Sequence, residues 1–173
     1  MILKADPNAT DSLADYGWSP LHWIAEIHPL KDEVKMNQIV DLLKGAGAYV
    51  NKRNRFGATP LHYAFNEKTI AVLLQRGADV RALDNRGMTP LHQLAFTSGL
   101  PSKMSFQLML QAGADPDQKI NDPSGHVKLY SAIEMIEYRM RNEDGERTTP
   151  LTTEEMNALV EVHDLLKSYS KLK

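Results

Sequence analysis

Apolar residues recur along the chain at the three- and four-residue spacing of amphipathic helices. The clearest stripe lies near the C-terminus, where Thr152 and Glu155 stand at the spacing of a capping box. Together they predict a helix over about 153–170 that buries Leu159, Val160 and Leu166 against the preceding part of the fold. The stripe consists of Met156, Leu159, Val160, His163, Leu166 and Tyr169.

Earlier helical runs are introduced by three copies of one tetrapeptide: Ser19-Pro20-Leu21-His22, Thr59-Pro60-Leu61-His62 and Thr89-Pro90-Leu91-His92. Each copy predicts a helix start, because a hydroxyl can cap the first turn and proline fits the first helical position. A glycine stands two residues before each copy, and a Gly-Ala pair ends each run. Because glycine readily adopts positive φ, these positions predict turns and helix ends. The glycines are Gly17, Gly57 and Gly87 before the copies and Gly47, Gly77 and Gly113 after them.

This self-similarity resembles the ankyrin repeat, which joins a β-turn finger to two antiparallel helices over about 33 residues. The best copy runs from Gly77 to His92. The resemblance implies an all-α ankyrin-repeat solenoid, in which units stack because none can bury its apolar face alone. It also implies that each motif histidine bonds the threonine hydroxyl and nearby backbone, so that it ties neighbouring repeats together. Stacked helix layers would place these imidazoles about 10 Å apart, too far for one metal ion.

We interpret residues 1–173 as one domain with a partial N-terminal cap (1–14), three repeats (15–50, 51–80 and 81–118) and a divergent C-terminal capping repeat (119–173). In the capping repeat, 125–132 aligns with 57–64, and a first helix is expected over about 130–141. Residues 2–9 resemble the repeat tail 110–116 but lack its glycine, which fits either a trimmed N-terminal cap or the cut edge of a longer chain. Long connections at 28–35, 97–103 and 142–151 are expected along the edge opposite the fingers.

Composition narrows the class of function. The net charge of −2 provides no overall basic field for nucleic acid, and no apolar stretch is long enough to span a bilayer. The absence of cysteine excludes disulfides and thiolate chemistry, and no signal peptide is evident. There is also no phosphate-binding glycine loop, nucleophile elbow or paired-histidine zinc motif. We therefore expect a cytoplasmic, non-enzymatic protein without cofactor or metal that is monomeric when free.

The resemblance implies that another protein binds the fingers and first helices. Candidate contacts are variable positions of the types enriched at interface hot spots. The alternative for three of them, Phe56, Met88 and Phe96, is packing against the neighbouring repeat. The second finger, with Lys52, Arg53 and Arg55, is all basic between acidic flanks, which would steer an acidic or mixed partner patch; the alternative is that these charges are simply solvated surface. The predicted partner-binding residues are Trp18, Arg53, Arg55, Phe56, Tyr63, Asn66, Arg86, Met88 and Phe96. The other variable positions are Asp15, Tyr16, Ala58, Glu67, Leu83, Asn85 and Thr97.

Three roles are compatible with this interpretation. The first is a small inhibitor or adaptor, including one that neutralises a toxin or effector. The second is an enzyme-associated regulatory subunit or weak hydrolase, although no sequence feature names a reaction. The third is a host-directed effector or viral mimic of an inhibitory ankyrin protein.

Overall fold

A computed structural model describes residues 6–9, 16–26, 33–97, 102–120, 130–141 and 151–171. All regular structure in these ranges is helical, as the repeat pattern predicts. The elements are α1 (Pro20–Glu26), α2 (Glu33–Gly45), a 3-10 helix (Pro60–Tyr63), α3 (Glu67–Gln75), α4 (Pro90–Phe96), α5 (Lys103–Gln111), α6 (Ala132–Arg141) and α7 (Thr153–Ser170).

The helices form two layers. The inner layer runs from α1 through the 3-10 helix and α4 to α6, and each member packs on the next. The outer layer follows the same order through α2, α3, α5 and α7. This arrangement is the predicted all-α solenoid.

The core lies between the two layers. The motif leucines Leu21, Leu61 and Leu91 are at most 1% exposed, and on the outer helices Ile70 and Phe106 are fully buried. Burying one such side chain contributes about 1.5–3 kcal/mol. Each repeat therefore contributes the same apolar positions to one continuous core.

The predicted glycine conformations are confirmed. Gly77, after α3, has a φ of 88°, and Gly57 in the second finger has a φ of 72°. At Gly57, space is a second constraint, because an added Cβ would lie 2.3 Å from Oδ1 of Asn85. Only glycine allows the second and third fingers to approach so closely.

The first helix of the second repeat is a single 3-10 turn rather than an α-helix. Only residues 64–66 separate Tyr63 from α3. The chain must reverse within them, because Asn66 already caps α3 by accepting a hydrogen bond from Thr69 N–H at 2.9 Å. This short connection leaves no room for a second helical turn.

The capping repeat has a different register from the one expected. Ile120 N–H donates to the Tyr130 carbonyl at 3.1 Å, just as Asn54 donates to Ala58 and Asp84 to Met88. Tyr130 is therefore equivalent to Ala58 and Met88. Residues 131–134, Ser-Ala-Ile-Glu, take the place of Thr-Pro-Leu-His, so the alignment of 125–132 with 57–64 was wrong by four residues. The cause is a longer finger: ten positions separate Ile120 from Tyr130, against four in the second repeat.

Ser131 and Glu134 supply the cap that threonine and histidine supply elsewhere. Ser131 N–H donates to Glu134 Oε2 at 2.7 Å, and Glu134 N–H donates to Ser131 Oγ at 3.3 Å. A reciprocal box of this kind satisfies two amides at a helix start. The fourth inner helix, α6, therefore begins in the usual way without the tetrapeptide.

The N-terminal segment 6–9 holds the place of a preceding repeat's tail, as its resemblance to 110–116 suggested. Asn8 Nδ2 donates to the Gly47 carbonyl at 2.7 Å, and Tyr49 N–H donates to Asn8 Oδ1 at 2.8 Å. Asn51 makes the same pair of bonds one repeat later, to Gly77 O and from Asp79 N–H. Residues 1–5, and the expectation placed on them, lie outside the described residues.

The expected edge of long connections also lies largely outside the described residues. Residues 27–32, 98–101 and 142–150 are not described. Residues 33–35, expected in the first connection, belong to α2.

The capping helix matches its prediction except for one residue of its buried face. It spans Thr153–Ser170, and Thr152 and Glu155 form the predicted capping box. Its buried residues are Leu159, Val162 and Leu166, and it packs on α5 and α6. The expectation that Val160 is buried was wrong: Val160 is 38% exposed. The 3.6-residue period aligns 159, 162 and 166 on one face and turns position 160 about 100° away.

Two substitutions on α7 test this face. Leu159→Ala should lower the free energy of unfolding by about 2–5 kcal/mol, because it leaves a cavity between α7 and the rest of the core. Val160→Ala, one residue away, should change it by less than about 0.5 kcal/mol. Urea unfolding followed by circular dichroism measures both, and equal effects would contradict the assigned face.

Candidate functional site

Each motif histidine closes a capping box and bridges to the next repeat. In the second repeat, the backbone N–H of Thr59 donates to Nδ1 of His62 at 3.0 Å, and the threonine hydroxyl lies 3.0 Å from the same nitrogen. On its other side, Nε2 of His62 lies 3.1 Å from the carbonyl oxygen of Met88 in the third repeat. One imidazole thus joins a helix start to the following finger.

The first and third histidines make the same pattern. His22 Nδ1 accepts from the Ser19 backbone at 3.1 Å, and its Nε2 lies 3.0 Å from Ala58 O. His92 pairs with Thr89 and lies 2.8 Å from Gln118 O. The predicted structural role of the three histidines is therefore confirmed, and we call this series the histidine ladder.

The geometry determines the protonation of the ladder. Because a backbone N–H donates to Nδ1, that nitrogen must carry a lone pair, and the ring proton sits on Nε2, where it donates to the carbonyl. Burial lowers the pKa of His62 and of His92 below the ordinary value of 6.5, although their backbone hydrogen bonds act in the opposite direction. Both side chains are therefore mainly neutral in the folded protein at pH 6.5 and above.

The fingers are built by buried Asn54 and Asp84. Asn54 Oδ1 accepts from the backbone N–H of Phe56 and Ala58 at 2.9 and 3.0 Å. Asp84 Oδ1 accepts from Arg86 and Met88 in the same way, at 2.8 and 2.9 Å. The two side chains hold the second finger (51–58) and the third (81–88) in one shape.

Neighbouring fingers are joined through their backbones. Arg55 N–H donates to the Tyr16 carbonyl at 3.0 Å, and Asn85 N–H donates to the Phe56 carbonyl at 2.8 Å. These bonds make Tyr16, Phe56 and Arg86 equivalent fingertip positions. We call them the fingertip row.

An aromatic cluster covers the first two repeats. Trp18 lies at its centre, with ring centroids 4.8 Å from Trp23, 4.6 Å from Tyr63 and 6.3 Å from Tyr16. Phe56 joins it through Tyr16 at 5.8 Å. Three members are well exposed although they are large and apolar: Tyr16 at 47%, Phe56 at 49% and Trp23 at 39%.

A depression of about 450 Å³ lies between the fingers and the inner helices beside this cluster. We call it the groove. Its sides combine aromatic rings with amide and guanidinium groups. It is lined by Phe56, Ala58, His62, Tyr63, Asp84, Asn85, Arg86 and Gln93.

The structure brings three predicted contact residues, Phe56, Tyr63 and Arg86, together in the groove. Arg55 is exposed on the adjacent fingertip. A role of these four residues in binding remains a prediction.

Trp18 and Met88 are not exposed, contrary to their choice as contact residues. They are 7% and 3% exposed, and their position directly before the capping residue points into the stack. Packing, the alternative interpretation for Met88, is therefore the correct one for that side chain, whereas Phe56 and Phe96 are exposed at 49% and 65%. Neither Trp18 nor Met88 offers contact surface without rearrangement.

The remaining three predicted residues lie elsewhere or are already engaged. Asn66 caps α3. Phe96 ends α4, away from the finger side of that helix, and does not line the groove. Arg53 is exposed, but its guanidinium donates to Gly57 O at 3.0 Å and Leu83 O at 2.7 Å, which binds the second finger to the third.

Sequence reasoning missed Trp23 and Gln93. Both directly follow a motif histidine, as Tyr63 does, and this shared position could have identified them. We call Trp23, Tyr63 and Gln93 the helix row.

The described residues also bear on two other kinds of site, a metal centre and a membrane span. Within them, no three histidine, aspartate or glutamate side chains are grouped so as to hold a metal ion. No helix in this part of the chain combines the length and hydropathy needed to cross a bilayer.

Removing one rung of the ladder tests its structural role. His62→Ala should lower the free energy of unfolding by about 1–3 kcal/mol, because it leaves the Thr59 amide and the Met88 carbonyl buried without their partner. Urea unfolding of both proteins measures the difference. An unchanged stability, or one equivalent of metal in the purified wild-type protein, would contradict this role.

Stability should also depend on pH through the ladder. Because the folded-state pKa values of His62 and His92 lie below the unfolded value of 6.5, protons bind first to the unfolded chain as the pH falls. Their contribution is fully present above about pH 6.5 and is lost as the pH falls from there through the folded pKa values. Urea unfolding between about pH 8 and 5 should show this decline, and His62→Ala should flatten it. A stability that rises as the pH falls below 6.5 would contradict the neutral ladder.

The chain matches a family model for ankyrin repeats, in three copies, over residues 30–120. Among curated proteins it is 41% identical over 68 residues to an ankyrin repeat protein of fowlpox virus, which covers 36% of each chain. It is 40% identical over 129 residues to pig NF-kappa-B inhibitor alpha, covering 73% of this chain and 36% of the relative. It is 34% identical over 99 residues to human SH3 and multiple ankyrin repeat domains protein 2, covering 56% of this chain and 5% of the relative.

The chain spans little more than a third of the first of these relatives, and no more of the other two. The match nevertheless includes the tetrapeptides, the glycines and the histidine ladder of the second and third repeats. The chain therefore belongs to the ankyrin-repeat family, whose members are modules for protein–protein interaction.

Proposed function

We propose that this protein binds a partner protein in the groove between its fingers and inner helices, and that it acts as a non-catalytic inhibitor or adaptor in the cytoplasm. The exposed part of the aromatic cluster is the observation that carries the proposal. Tyr16, Trp23 and Phe56 together expose apolar surface beside a depression with polar groups. Contiguous apolar surface of this kind marks interaction sites.

The structure of the groove favours binding over catalysis. Its aromatic rings are held in place by ring contacts and by finger backbone bonds, so they lose little conformational freedom when a partner binds. Its polar side chains are already bonded to one another: Arg86 pairs with Asp84 at 3.2 Å and with Gln93 at 3.3 Å. Such a surface provides contact area for a partner and fixes the partner's orientation.

Inhibition is the role we favour within this proposal. One relative that matches most of this chain is, by its name, an inhibitor of NF-kappa-B. A rigid stack that covers a partner's surface needs no chemistry of its own to inhibit it. The name of this relative does not identify the partner of this chain, which has to be found by experiment.

A second role, a host-directed or viral ankyrin protein, is favoured by the similarity to a fowlpox virus protein. The two roles use the same groove and differ in the origin of the partner. A partner from the same organism supports an endogenous inhibitor, and a partner from another organism supports a host-directed protein.

Paired substitutions test the groove. Phe56→Glu places a charge on the exposed aromatic surface, whereas its backbone bonds to Asn54 and Asn85 are retained. Leu42→Glu makes the same change on α2, where Leu42 is 73% exposed on the outer layer. Affinity capture with the wild type and both variants should identify a partner that Phe56→Glu loses and Leu42→Glu keeps.

The purified partner then permits a quantitative measurement. Phe56→Glu should weaken binding at least tenfold, which is about 1.4 kcal/mol, with an unchanged circular dichroism spectrum. Arg55→Glu reverses a charge on the exposed fingertip; Arg53 is left unchanged because its guanidinium joins the second finger to the third. A partner that binds Phe56→Glu as tightly as the wild type would show that another face is used. A partner activity that the bound chain does not reduce would favour an adaptor.

A further inference from the structure

The surface formed by the fingertip row and the helix row, which includes part of the groove, changes character along the stack. The fingertip row reads Tyr16, Phe56, Arg86 from the first repeat to the third. The helix row reads Trp23, Tyr63, Gln93 over the same repeats. Both rows are therefore aromatic at the first and second repeats and polar at the third.

The polar end carries a positive group that is well placed for a ligand. Arg86 is held by Asp84 Oδ2 and Gln93 Oε1 through its Nε and Nη2 atoms, and 54% of its side chain is exposed. Nη1 carries two further N–H groups. Arg86 is therefore oriented by the protein, and part of its guanidinium faces the solvent.

Neighbouring cationic side chains add to the positive electrostatic potential around Arg86. The second finger, 51–58, contains Lys52, Arg53 and Arg55 and no acidic residue. Asp84 is the acidic residue that lines the groove, and its side chain is 3% exposed and paired with Arg86. The accessible polar groups that line the third-repeat end of the groove, on Asn85, Arg86 and Gln93, are thus amide or cationic, and these favour a carboxylate.

We infer that the partner segment is itself divided, with aromatic or aliphatic residues over the first two repeats and a carboxylate at the third, paired with Arg86. This inference rests on the proposed function. Adjacent inner helices lie about 10 Å apart, and an extended chain advances about 3.3 Å per residue. An extended ligand would place its carboxylate about three residues from the apolar residue beside Phe56.

Selection of peptides tests the inference before any partner has been identified. A phage-displayed library of random 16-residue peptides is selected on the wild-type protein and depleted on Phe56→Glu. Enriched peptides should carry an aromatic or aliphatic residue with Asp or Glu about three positions away. Basic or uncharged enriched peptides would overturn the inference.

Synthetic versions of the enriched peptides then isolate the role of Arg86. Arg86→Gln removes the charge and should weaken binding about tenfold, or about 1.4 kcal/mol, and reduce its dependence on salt. Lys103→Gln removes a comparably exposed cation from α5, on the outer layer, and should leave both unchanged. Equal binding by Arg86→Gln and the wild type overturns the inference but leaves the groove intact. A lack of any peptide that distinguishes the wild type from Phe56→Glu contradicts the proposed groove itself, and this inference with it.

Discussion

The hydrogen bond from a histidine Nε2 to a carbonyl of the next repeat is the interaction on which the rest of the structure depends. It begins at a capped helix start and ends in the following finger, so one neutral imidazole sets the distance and rotation between units. The motif leucine beside each histidine can enter the core only in that register. The fingers, aligned by the same bond, can then pair their backbones. The position of the groove therefore depends on the ladder, although His62 is the one ladder histidine among the groove's lining residues.

Much of the fold could be predicted because each signal acts locally. Thr89, Pro90 and the glycine before them specify a turn and a helix start whatever surrounds them, and Gly77 ends a helix for a reason within its own backbone. The predicted alignment of the fourth repeat was wrong, because it did not rest on such local signals. Its alignment relied on Gly125, whereas the true register follows a backbone bond between Ile120 and Tyr130 across a longer finger. Tertiary pairing marks this register, and the local signal for it, the capping-box spacing of Ser131 and Glu134, was passed over.

The candidate site could be predicted only in part for a related reason. Variable positions in the fingers indicated Phe56 and Arg86, which do lie exposed in the groove because a fingertip is exposed in every copy; their role in binding remains a prediction. Residue type misled the choice of Trp18 and Met88, which stand directly before a capping residue and turn inward. Trp23 was passed over although it occupies the same position as Tyr63. Comparison of equivalent positions across the repeats separates inward-facing from exposed side chains, which the chemistry of single residues does not.

The short connection of the second repeat has a consequence for the entropic cost of forming that repeat. Three residues, 64–66, join its two helices, and the entropy lost in closing a loop grows with loop length. Its helices can therefore meet at a lower entropic cost than those of its neighbours. The ladder contacts that follow span 36 or 26 residues, so each joins a repeat to its nearest neighbour in the stack. The repeat that carries Phe56 and Tyr63 is thus the one whose two helices are brought together at the lowest cost in loop-closure entropy.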